Sequence, residues 1–159
     1  MIKNVRHFGV VVTNMQKSLQ FYRDLLGLDI QRELHESGKF LDNMLNMKNV
    51  NVHTVKMSVS DGTTLVELLE FESHPKSLQN NVEISNIGAS HLAFTVYDLH
   101  DTYTKLKNTG IKFNAPPQNS PDGYAKVTFC YDPDGTPIEL VEILDPTVTN
   151  KINSYSKNE

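Results

Sequence analysis

The chain has 159 residues, 38% hydrophobic and 21% charged, with a net charge of −4 and one cysteine; these are the proportions of a globular domain. Lysines and arginines are scattered, which excludes the clustered basic face of a nucleic-acid binder. One thiol allows no intrachain disulfide, and no apolar run reaches the roughly 20 residues of a membrane span, so the expectation is a cytoplasmic protein with no membrane partner.

Residues 5–12 alternate around a β-branched run and predict a strand. Its parity puts His7, Gly9 and Val11 on one face and Phe8, Val10 and Val12 on the other. Thr13 or Asn14 then caps a helix, and Met15, Leu19, Tyr22 and Leu26 make one apolar stripe that stops at Gly27. Leu28–Leu34 reads as a second strand. Gly38–Lys48 holds too many apolar residues for a plain loop. It reads as a short helix or turn, either a satellite of the core or a substrate lid, with Phe40 and Met44 as candidate substrate contacts. Residues 50–59 make a third strand, from which His53 could line a site. Asp61-Gly62 is a hairpin signal, and Thr63–Phe71 a fourth strand with Leu65, Glu67 and Leu69 on one face. A carboxylate among leucines is costly to bury unless something charged pairs with it.

After a polar stretch the pattern repeats. Arg6-His7-Phe8-Gly9-Val10-Val11-Val12-Thr13-Asn14 aligns with Ser90-His91-Leu92-Ala93-Phe94-Thr95-Val96-Tyr97-Asp98. Leu99, Tyr103 and Leu106 replay the helix stripe, and Gly110 answers Gly27. Ile111–Phe113 is the next predicted strand, Ala115–Gly123 a loop, Lys126–Tyr131 a strand, Asp132-Pro133-Asp134-Gly135 a turn, and Pro137–Leu144 the last strand. There Glu139 answers Glu67. The division is a first βαβββ module over 1–72, a linker over 73–88, a second βαβββ module over 89–145 and a polar tail over 146–159. The fold class is α+β: two βαβββ modules forming a curved, barrel-like mixed sheet with helices outside.

In such a trough His7, Glu67, His91 and Glu139 all point inward. A lone strand histidine is more often a hydrogen-bonded core residue, and a lone strand glutamate usually faces solvent. Four of them at matched repeat positions, beside the small residues Gly9 and Ala93, point instead to a divalent metal site for Zn, Ni, Co, Mn or Fe. A metal there would polarise a substrate oxygen and stabilise an enediolate, with one glutamate, Glu67 or Glu139, serving as the base. Glu70 and Glu142 repeat too, but parity turns them toward helix or solvent. His35, His53, His74 and His100 have no repeat partner, and a surface or structural role is the expectation for all four.

The segments His7 to Gly27, Val66-Glu67-Leu68, Gly88 to Phe94, and Asp132-Pro133-Asp134-Gly135 before Ile138-Glu139-Leu140 carry a resemblance to the vicinal oxygen chelate superfamily. That superfamily includes glyoxalase I, methylmalonyl-CoA epimerase, extradiol dioxygenases and bleomycin-binding proteins. Its glyoxalase I-like members use His, Glu, His and Glu as ligands, which the resemblance carries onto His7, Glu67, His91 and Glu139. It implies a metal-dependent isomerase, epimerase or lyase acting by proton abstraction on a small oxygenated substrate, and a homodimer. The alternatives are glyoxalase I (lactoylglutathione lyase), a drug-binding resistance protein without catalysis, and an Fe(II) extradiol dioxygenase.

Overall fold

The structure is a computed structural model that describes residues 1–59, 62, 64–74 and 84–144. The chain divides into two compact units, Met1–Val82 and Glu83–Glu159. Asp61 of the expected hairpin turn, most of the linker and the polar tail lie outside the described residues.

In the first unit, β1 (His7–Val11), β2 (Asp29–Ser37), β3 (Asn51–Ser58) and β4 (Leu65–Phe71) form a four-stranded sheet in the order β1-β4-β3-β2. β1 runs parallel to β4 and the remaining pairs are antiparallel. The alternation predicted for the first strand is realised, with Val10 buried and Val11 60% exposed. β2 is the outer strand and reaches Ser37, beyond the expected end, because its polar residues suit an edge that faces solvent.

Asn14 caps α1 (Met15–Leu19), its side chain accepting from the Lys17 N–H at 2.9 Å. The rest of the expected helix, Gln20–Leu25, widens into a π turn. Phe21 and Tyr22 are both fully buried there, with their rings edge to face at 5.1 Å. A regular helix with a narrow apolar stripe buries one of two such neighbours more fully than the other, and the wider turn admits both.

The second unit repeats the plan with β5 (Leu92–Thr95), α3 (Leu99–Asn108), β6 (Gln118–Asn119), β7 (Ala125–Tyr131) and β8 (Pro137–Ile143), in the order β5-β8-β7-β6. The α+β class and the mixed sheets match expectation. The barrel-like sheet does not: the described strands form two separate four-stranded sheets.

The strand expected at Ile111–Phe113 is also corrected. Only Phe113 bridges Cys130, while Gln118–Asn119, read as loop, pairs with β7. Phe113 is used for packing, edge-on to Tyr103 at 4.7 Å. The outer strand needs only its backbone groups, so its polar side chains carry no apolar signal.

The two glutamates outside the expected ligand set have a structural role. Glu70 Oε2 accepts the Met15 N–H at 2.8 Å and Glu142 Oε2 accepts the Leu99 N–H at 2.9 Å, so each last strand ties down the first turn of its unit's helix.

Candidate functional site

Parallel pairing of the first and last strands of each unit builds the candidate site twice. In the first unit Gly9 lies beside Glu67 in the ladder, and His7 Nε2 stands 3.0 Å from Glu67 Oε2. In the second, Ala93 lies beside Glu139, and His91 Nε2 stands 3.2 Å from Glu139 Oε2. The small neighbour is what lets the histidine reach across. At Gly9 the room is limited, since an added Cβ would stand 3.3 Å from Leu69 Cδ1.

Glu67 is 8% exposed and has a second partner, Lys56 Nζ, 2.6 Å from Oε1. A carboxylate this buried needs both its oxygens satisfied, and here a cation takes one and an imidazole the other. Lys56 was not among the expected site residues. The corresponding ladder position opposite Glu139 is Phe129, whose ring meets the His91 ring edge to face at 5.4 Å. The repeat is therefore symmetric in its histidines and glutamates and asymmetric in what flanks them.

In each unit the imidazole and carboxylate are donors that suit a borderline divalent cation. Atoms bound at about 2.1 Å to one ion stand about 3.0–3.4 Å apart, so the observed imidazole–carboxylate separations of 3.0 and 3.2 Å suit adjacent ligand positions. Lys56 holds Glu67 by the oxygen that His7 does not use, an outer contact of the kind that orients a metal ligand.

His53 departs from the expectation that it lines the same face. In the ladder it lies opposite Glu70, whose carboxylate reaches α1, whereas Lys56, an odd number of residues along, faces Glu67. Strand alternation thus sends His53 to the other side of the sheet, where Glu33 Oε1 lies 2.8 Å from its Nε2.

The apolar segment Gly38–Lys48 contains α2 (Lys39–Leu45). Leu41 packs with Val50 and Val52, next to Met47, Leu69 and Phe71, so this side of the helix belongs to the core. Asp42 secures the return of the chain by accepting from the Asn49 and Val50 N–H groups at 3.0 and 2.8 Å. Phe40 and Met44 point away, 78% and 60% exposed.

A model of the glyoxalase/bleomycin resistance protein/dioxygenase superfamily matches residues 4–140, which include both histidine–glutamate pairs. The chain belongs to this superfamily. Among its relatives, a probable lactoylglutathione lyase of Synechocystis is 28% identical over 137 residues, 86% of this chain and 92% of the relative. The metallothiol transferase FosB of Staphylococcus haemolyticus is 48% identical over 115 residues, 70% of this chain and 63% of FosB. In structure, a glyoxalase family protein from Bacillus cereus superposes with a TM-score of 0.83 over 91% of this chain and 97% of its own, at 18% identity, a likeness of fold. Many enzymes of the superfamily depend on a divalent metal, and no helix among the described residues is long and apolar enough to cross a membrane.

Proposed function

We propose that His7, Glu67, His91 and Glu139 together hold one divalent cation, and that the protein is an isomerase, epimerase or lyase that moves a proton next to a chelated oxygen of a small substrate. The observation that carries this reading is the recurrence of the imidazole–carboxylate pair in both units, at 3.0 and 3.2 Å, beside the matching ladder pairs Gly9–Glu67 and Ala93–Glu139. A cation in this set would supply Lewis-acid polarisation of a substrate oxygen.

The flanking residues divide the work between the glutamates. Lys56 and His7 hold Glu67 by separate oxygens, which suits a fixed ligand. Glu139 has His91 and the aromatic Phe129 beside it, so it is the carboxylate free to leave its partner, take a proton from carbon and return it. His7 and His91 stay as ligands throughout. Phe40 and Met44, exposed on α2, would contact the substrate, and the chain would work as a homodimer.

The names of two relatives favour a second reading, in which the substrate is a thiol or a thiol adduct. One is called a lactoylglutathione lyase and the other a metallothiol transferase. Proton NMR in D2O separates the readings when thiol-free 2-oxo and 2-hydroxy acids are offered alongside the hemithioacetal of methylglyoxal and glutathione. The first reading predicts cation-dependent deuterium uptake at carbon in a thiol-free substrate, lost on chelation and in Glu139→Gln. Turnover of the hemithioacetal alone would give the second reading the site. Exchange that survives both chelation and Glu139→Gln would defeat the metal-dependent mechanism.

A further inference from the structure

Another group of ligand-type side chains sits on the opposite face of the first unit's sheet. His35 of β2 and His53 of β3 are ladder partners, and their rings stack at 4.2 Å between centroids with planes 12° apart. Glu72, just past β4, brings Oε1 to 3.6 Å from His35 Nδ1. One donor atom from each of His35, His53 and Glu72 can be chosen so that all lie within 4.8 Å of one another. Glu33, two residues before His35 on the same face of β2, holds His53 Nε2 at 2.8 Å. Glu72 is itself anchored, its N–H donating to the Asn51 carbonyl at 2.9 Å.

From this geometry we propose a second cation site, for Zn(II) or a similar borderline divalent ion, with His35, His53 and Glu72 as ligands and Glu33 as the carboxylate that fixes the His53 ring. Two imidazoles and a carboxylate are the donors such an ion prefers, and three protein ligands leave a position for water. The glutamate on the far nitrogen of a ligating histidine is the usual outer partner. Donors on one zinc ion stand about 3.4 Å apart, so the side chains draw in from the present spread. They are free to do so: the side chains of His35 and Glu72 are 60% and 37% exposed. The donors come from β2, β3 and the segment after β4, so the ion would staple the outer strand to the sheet. This site is independent of the proposed catalytic one, being on the other face and sharing no residue with it.

The test uses the full chain carrying His7→Gln and His91→Gln, which removes the histidines of the catalytic site. Zn(II) is titrated by calorimetry, with circular dichroism to confirm the fold. The expected result is one equivalent of zinc and a higher Tm, both lost on adding His35→Gln and His53→Gln. Glu33→Gln should weaken binding by about 10–100-fold. In the unsubstituted protein, zinc should shift the imidazole nitrogen resonances of His35 and His53, a readout that needs no variant. The absence of that shift, or zinc binding indifferent to the paired His35 and His53 substitutions, would overturn the proposal.

Discussion

Lys56 and Phe129 occupy the same position in the two repeats: Lys56 is the ladder partner of Glu67 and Phe129 that of Glu139. The two units share the histidine and the glutamate and differ in the residue beside the glutamate. A charge sits next to one carboxylate and an aromatic ring next to the other. If Glu139 is the base and Glu67 a fixed ligand, the two Glu→Gln variants must fail differently. Glu139→Gln should lower kcat by about 10²–10⁴-fold with the cation retained, and Glu67→Gln should act first on cation content. Turnover measured beside elemental analysis distinguishes the two.

Lys56 is expected to act through Glu67. Lys56→Met leaves that carboxylate without the cation 2.6 Å from its Oε1. Cation affinity should fall by about 10–100-fold, as for other outer partners of metal ligands. Lys56→Arg, which keeps the charge, should restore much of it. A competition titration with a chromogenic chelator reads both variants.

Glu70 and Glu142 give a prediction about stability alone. Each accepts an N–H from the first turn of a helix, Met15 at 2.8 Å and Leu99 at 2.9 Å. Substituting either by alanine should destabilise the protein by about 1–2 kcal/mol, the range for a charge-assisted hydrogen bond at a helix N-terminus. Urea unfolding followed by circular dichroism checks this, and cation affinity should stay unchanged.

Cys130 is fully buried, and burial, helped by the nearby Asp132 carboxylate, pushes its thiol up to about 12. At pH 8 only about one folded molecule in ten thousand holds the thiolate, so a disulfide reagent should react in urea and hardly at all under native conditions. The folded chain keeps a proton that the unfolded chain releases near pH 9. The thiol's contribution to stability is therefore complete below that pH and is lost as pH rises toward 12.

Most of the strands and the repeated pairs are legible because they rest on alternation and on two copies of one pattern. His7 with Glu67 and His91 with Glu139 follow from strand parity and register alone. Lys56 was equally available: counting outward five residues from each of Asp61 and Gly62 arrives at Lys56 and Glu67, which are ladder partners. The same count puts His53, three residues before Lys56, on the opposite face of the strand. Other features had no local signal. Gln118–Asn119 pairs through backbone groups, which any sequence possesses. The π turn over Gln20–Leu25 answers the need to bury Phe21 and Tyr22 together, a demand set by packing rather than by propensity.

The central claim is that one cation is shared by both pairs. The direct measurement is cation stoichiometry, by elemental analysis after dialysis, in protein carrying His35→Gln and His53→Gln, with His7→Gln or His91→Gln added singly. The account predicts one equivalent in the parent and almost none in either single addition, because each unit supplies half of the ligands. An equivalent that survives the loss of His7 or of His91 would contradict it.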